Sequence, residues 1–310
     1  MLTCRRFLFF FEQVHKESPS SDSCNDCTAA VRCEDDDVVR LAFFFPVAGD
    51  WPIRLTLSPC CNRMDIFSSI TQLRIPYLNG LYNHLLENST GSNDLFGTTN
   101  GCCDAVMCSL AAIVTLETDM SRSSPLLDLM DEHSRQMELT MYIHRASAIR
   151  ERLLTIDSAP RISEVTSPYL VDDQFAPSTG VSDTASSFET SNIFRHAALL
   201  YLSTIIGGPS PDIAETREQV LATHAALLAL PPSSVDRSLV FPLCLAGCMT
   251  DDPLLRKYFS GRLRAMDGPV GNSGKTLVLM EEVWRRRDNL QIGVSWRDVM
   301  RETKLELLLV

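Results

Sequence analysis

Positive charge is scarce in this chain: 28 Lys and Arg stand against 39 Asp and Glu over 310 residues, a formal net charge of −11. Such a chain repels a phosphate backbone, so direct contact with nucleic acid is not expected from it. Its longest basic run, Arg285-Arg286-Arg287, closes a helical pattern, where cations suit the negative pole of the helix dipole. Long apolar runs are missing as well. Phe7 to Phe11 follows Arg5-Arg6 but stops at Glu12, short of the roughly 20 residues that cross a bilayer. No small-residue cleavage site follows, so neither a secretory leader nor a membrane anchor is expected. No stretch alternates apolar and polar residues in a sustained strand series, which points away from a sheet-based fold.

Catalytic constellations are also lacking. The histidines, His15, His84, His133, His144, His196 and His224, are scattered, with no pair at the i, i+4 spacing of a helical zinc site. A nucleophile on a sharp glycine turn has one candidate, Ala246-Gly247-Cys248. It lies in an apolar helical run, where Gly247 is better read as letting two helices approach closely. Gly268 to Thr276 imitates a phosphate-binding loop, but Pro269 stands where the first glycine is needed, and a helix rather than a strand precedes it. Asn272 or Ser273 reads instead as the cap of the next helix. No residue is assigned a catalytic, cofactor-binding or metal-ligating role, no cofactor is called for, and the chain is not expected to be an enzyme.

Cysteine, by contrast, is plentiful, at 11 residues. Cys102, Cys103, Cys108, Cys244 and Cys248 fall in apolar helical runs, where a free thiol behaves as a small hydrophobe in a reducing compartment. Cys24-x2-Cys27-x5-Cys33 looks like half of a zinc site, yet adjacent Cys60-Cys61 is a poor completion, since structural zinc takes four ligands in spaced pairs.

The chain divides into four stretches. Residues 1–62, with the acidic run Glu34-Asp35-Asp36-Asp37, hold no sustained period and read as disordered or wrongly joined. Residues 63–156 form a first helical half: one pattern from Phe67 broken at Pro76, a second over Ala105–Leu116 capped by Asp104, and a third, long and amphipathic, over Leu126–Leu154. Residues 157–191, rich in Ser, Thr, Pro and Asp, read as a long disordered loop or linker. Residues 192–310 carry six helical segments in quick succession: Ile193–Ile206, Asp212–Leu230, Asp236–Met249, Pro253–Met266, Lys275–Arg287 and Trp296–Leu308. The fold class that follows is all-α, a multi-helix domain with antiparallel or orthogonal neighbours.

The segments Ala197-Ala198-Leu199-Leu200-Tyr201-Leu202, Phe241-Pro242-Leu243 through Ala246-Gly247-Cys248, Val283-Trp284, and Trp296 with Asp298 and Val299 resemble the fungal-specific transcription factor domain. Gly101-Cys102 and Ile149 to Leu153 match its middle more loosely. In that family the domain usually follows a binuclear zinc, six-cysteine cluster. Cys24, Cys27 and Cys33 do not complete such a cluster, so zinc and DNA contact are not carried over to them. The resemblance implies a nuclear regulator of RNA polymerase II transcription, acting through a small-molecule effector or through protein partners of the transcription machinery. Leu199, Leu243, Leu245 and Val283 are the residues that would line an effector pocket between helices, with filled core as the plainer reading. The alternative is a stand-alone interaction module, or a truncated regulator without DNA binding. The oligomeric state is left open.

Overall fold

The computed structural model describes residues 29–32, 40–43, 53–56, 59–88, 101–156, 180–266, 272–289 and 293–309. Ten α-helices among them carry the fold: α1 (Pro59–Gln72), α2 (Asn79–Asn88), α3 (Asp104–Leu127), α4 (Glu132–Thr155), α5 (Gly180–Gly207), α6 (Ala214–Ala229), α7 (Val240–Cys248), α8 (Pro253–Ala265), α9 (Ser273–Asp288) and α10 (Trp296–Glu302). A 3-10 helix, Ser234–Leu239, leads into α7. The all-α expectation holds for this body. Three four-residue strands stand apart from that expectation: β1 (Ala29–Arg32), β2 (Arg40–Phe43) and β3 (Ile53–Thr56) form an antiparallel meander with Ala29 opposite Phe43 and Arg40 opposite Thr56. Each is too short for its alternation to register over the surrounding sequence. The candidate zinc residues Cys24, Cys27 and Cys33 lie outside the described residues.

Neighbouring helices in the sequence are for the most part neighbours in space. The α5–α6 pair forms the most extensive contact, α3 lies against α1, α2, α4 and α5, and α7 is surrounded by α5, α6, α8 and α9. This placement follows from composition. Every residue of α7 is buried, and a helix that is apolar on all sides must be enclosed by others. α4 buries only Tyr142, Ala146, Ile149 and Leu153, the single stripe of a surface helix.

Several boundaries differ from the sequence reading, each for a local reason. The pattern over Leu126–Leu154 is not one helix: α3 runs on to Leu127, and the chain restarts at α4, where Asp131 caps by accepting from the Ser134 N–H at 3.0 Å. Asp104 is the first residue of α3 rather than its cap, and Cys103 holds the cap position, its side chain making no capping bond. α5 begins at Gly180, inside the stretch read as loop, while residues 157–179 lie outside the described residues. The segment over Asp236–Met249 splits into the 3-10 turn and α7, with Pro242 in the first turn of α7, where its missing N–H breaks no helical bond. The last helix ends at Glu302 rather than Leu308, and Lys304 takes a positive φ of 53°. The break at Pro76 is present between α1 and α2.

Candidate functional site

The segments that carry the family resemblance converge on α7. Phe241 packs 5.3 Å from Phe67 of α1, centroid to centroid, and 6.2 Å from Tyr201 of α5. Phe194 of α5 closes the cluster 6.1 Å from Phe67. All four rings are fully buried, so three helices far apart in sequence share one aromatic centre. At the other end of α7, Gly247 does what its sequence context suggested. A Cβ placed there would come 2.2 Å from Met280 Cε and 3.5 Å from Phe259 Cβ. Its bare backbone lets α8 and α9 close in, and its carbonyl accepts from Trp284 Nε1 at 2.8 Å. Trp284 in turn lies under the Arg256 guanidinium, 5.4 Å from its ring, a cation–π contact.

Three buried polar ties lock this core, and the sequence reading foresaw none of them. The first is Arg297, one residue after the motif tryptophan Trp296. Its Nε donates to Ile70 O at 2.7 Å, its Nη2 to Glu117 Oε2 at 2.8 Å, and its Nη1 to Glu117 Oε1. The Tyr201 hydroxyl bonds the same carboxylate and receives from the same guanidinium. One side chain of α10 thus joins α1, α3 and α5. Burial pushes the Tyr201 phenol well above its usual range, against the pull of Arg297. For Arg297, burial works against the charge, but Tyr201 and Glu117 outweigh it and raise the pKa. The second tie is Arg262 of α8, which grips Asp236 with Nε at 2.7 Å and Nη2 at 2.9 Å. It also donates to Leu227 O at 3.0 Å and Leu230 O at 2.8 Å, carbonyls at the end of α6 that have no helical partner of their own. The third is Asp65 of α1, which accepts from the backbone N–H of Tyr77 at 3.1 Å and of Leu78 at 3.0 Å. It also pairs with Arg74 at 3.2 Å, holding the turn around Pro76. An Arg in a short amphipathic helix reads as a surface residue, and only the fold brings its partners to it.

The chemistry of this region is that of packing. Cys244 and Cys248 sit one helical turn apart on α7 and are buried. The bond to Cys248, with burial behind it, raises the Cys244 thiol well above its ordinary value, which keeps it protonated and unreactive. Leu199, Leu243, Leu245 and Val283, the residues expected to line a pocket, belong to the same continuous core. Of the imitation phosphate loop, Gly268 to Gly271 lie outside the described residues, and its described end is likewise absorbed. Lys275 Nζ donates to Glu306 O at 3.0 Å, and Asn272 occupies the cap position of α9 while its side-chain amide donates to Leu308 O. Both fasten the C-terminal segment.

One half-buried polar group lies between α5 and α6. His196 Nδ1 meets Gln219 Oε1 at 3.2 Å, and Arg195 Nη2 approaches its Nε2 at 3.3 Å. Burial lowers the His196 pKa, the Gln219 bond opposes this, and Arg195 adds to it. Among the described residues no cluster of three or more His, Cys, Asp or Glu is placed to hold a metal ion, and no helix is long and apolar enough to cross a membrane.

The helices close around a buried α7 and its aromatic centre, and Arg297 ties α10 to α1, α3 and α5. The family description "Fungal specific transcription factor domain" matches residues 57–310, and the chain belongs to that family. Among its relatives, the trichothecene biosynthesis transcription regulator TRI10 of Fusarium sporotrichioides is 27% identical over 122 residues, covering 38% of this chain and 29% of the relative. The protein of the same name from Trichoderma arundinaceum is 30% identical over 114 residues, covering 35% of this chain and 27% of the relative. The transcription factor dibT of Pestalotiopsis microspora is 34% identical over 107 residues, covering 33% of this chain and 17% of the relative. The aligned part is thus less than a third of each relative's own length. No solved structure matches the chain.

Proposed function

We propose that this chain is the regulatory part of a fungal transcription regulator, that it works in the nucleus on RNA polymerase II transcription, and that it acts by binding protein partners of the transcription machinery or a small-molecule effector. The observation that carries the reading is the family match over residues 57–310, together with the place of its motif residues. Tyr201, Phe241, Gly247, Trp284 and Trp296 form one core rather than scattered surface positions. Two relatives are named for trichothecene biosynthesis and another for the ustiloxin B cluster, which supports a biosynthetic gene set as the target. The net charge of −11 supports action without direct DNA contact by this chain. An effector would have to favour a state in which Leu199, Leu243 or Val283 becomes accessible, because a ligand shifts an equilibrium only by its differential affinity. A protein partner needs no such opening and is the simpler mode.

The test is deletion of the gene in a fungal host that carries it, followed by transcript profiling. The expected outcome is a coordinated change in a group of biosynthetic genes, restored by the intact gene. An unchanged transcript profile, under conditions where the protein is shown to be made, would refute the reading.

A further inference from the structure

α4 is a 24-residue helix that buries one stripe, half-buries Arg135, Glu138, Arg145 and Arg152, and leaves the remaining face to solvent. On its outer side Met137, Met141, His144 and Ala148 are all exposed and follow one another at intervals of four, three and four residues. That is the spacing of a two-helix seam. Met137 is 62% exposed and Met141 44%, unusual for large apolar side chains that recur on one face. Methionine also packs adaptably against a partner helix.

Beside this seam runs a row of half-buried charges with a fixed period, Glu138, Arg145 and Arg152, each seven residues from the next, and the cap residue Asp131 stands seven residues before the first. The signs run acidic, acidic, basic, basic. A helix dipole favours acid at the start and base at the end, but its influence fades within the first and last turns. Glu138 and Arg145 lie in the middle of α4, beyond its reach. The row is self-complementary in one arrangement. Laid antiparallel on a second α4 about a two-fold axis, Glu138 faces Arg145 of the second copy and Asp131 faces Arg152 of the second copy. The two-fold repeats both pairs, because in such an interface residue i meets j and j meets i. Arg145 also pairs with Asp119 of α3 at 2.9 Å while keeping 37% of its side chain exposed.

We propose that the outer face of α4 is the site where two copies of this chain associate, antiparallel, with Met137, Met141, His144 and Ala148 in the seam and the Asp131–Arg152 row as its charge code. Sedimentation equilibrium of the 310-residue chain tests this. The wild type is expected to show a monomer–dimer equilibrium. Glu138→Arg and Arg145→Glu each place two like-charge contacts across the axis and are expected to weaken association about tenfold or more. In an equimolar mixture of the two variants, a mixed dimer sets opposite charges against each other in both contacts, and wild-type association is expected to return. Met141→Glu, at an exposed position, should abolish it and melt where the wild type melts when diluted to its monomer. A wild type that sediments as a monomer at every concentration, variants that associate like the wild type, or a mixture that stays monomeric would each overturn the proposal. If Arg145→Glu fails to fold, Glu138→Arg and Met141→Glu decide the matter on their own.

Discussion

Arg297 holds more of the molecule together than any motif residue beside it. It is nearly enclosed, charged, and bonded at once to Ile70 O, Glu117 and Tyr201. Removing one partner of such a group leaves the other buried without compensation, at a cost of about 3–5 kcal/mol. Arg297→Met should therefore lower stability by about that much in urea titration, and adding Glu117→Gln should recover a large part of it, since the two sites are coupled. A single-variant loss under about 1 kcal/mol would mean the tie is worth no more than a surface ion pair. His196 gives a pH prediction. Burial holds its pKa below the unfolded value of 6.5, so the unfolded chain binds the proton first as pH falls. Its contribution to stability is thus fully present above the unfolded value. It is lost as pH drops from there to the lowered folded value, with no further loss below that. His224, also lowered by burial, adds a contribution of the same sign. His196→Gln should flatten the decline seen in thermal melts between neutral and mildly acidic buffer. An unchanged slope would show that His196 keeps its ordinary pKa.

At the scale of elements, α7 is the part most sensitive to volume. Gly247→Val sends two methyl groups toward Met280 and Phe259, where a single Cβ already comes within 2.2 Å of Met280 Cε. The overpacking should cost roughly 1–3 kcal/mol by chemical denaturation. Trp284→Phe should cost about 1–2 kcal/mol, because it keeps a ring but leaves Gly247 O without its buried donor. The helices of this region were legible in the sequence because their signals are local: Pro253 opens α8 and apolar residues recur through α5. The tie between α10 and α3 was not, since nothing near Arg297 announces a carboxylate 180 positions away. The split of Leu126–Leu154 was also hidden. Apolar periodicity runs across the break, and only the Asp131 cap, read with Ser134, marks the restart.

At the scale of the molecule, the family was legible because its motif is a packing code. Ala197 to Leu202, Phe241 to Cys248 and Trp284 are neighbours in space, and residues that must fit one another keep a recognisable spelling. The polar site was not legible, because buried ion pairs are assembled from distant segments. The α4 row lay open in the sequence as four charges at a constant interval, though a helix dipole was enough to account for its two ends. That this chain is a regulatory domain of transcription can be tested by fusing it to an unrelated DNA-binding domain and measuring a reporter placed downstream of that domain's target site in a fungal host. The expected result is a change in reporter output that disappears with Phe241→Asp, which breaks the aromatic centre. A stably expressed, folded fusion that leaves the reporter at the level of the DNA-binding domain alone would contradict it.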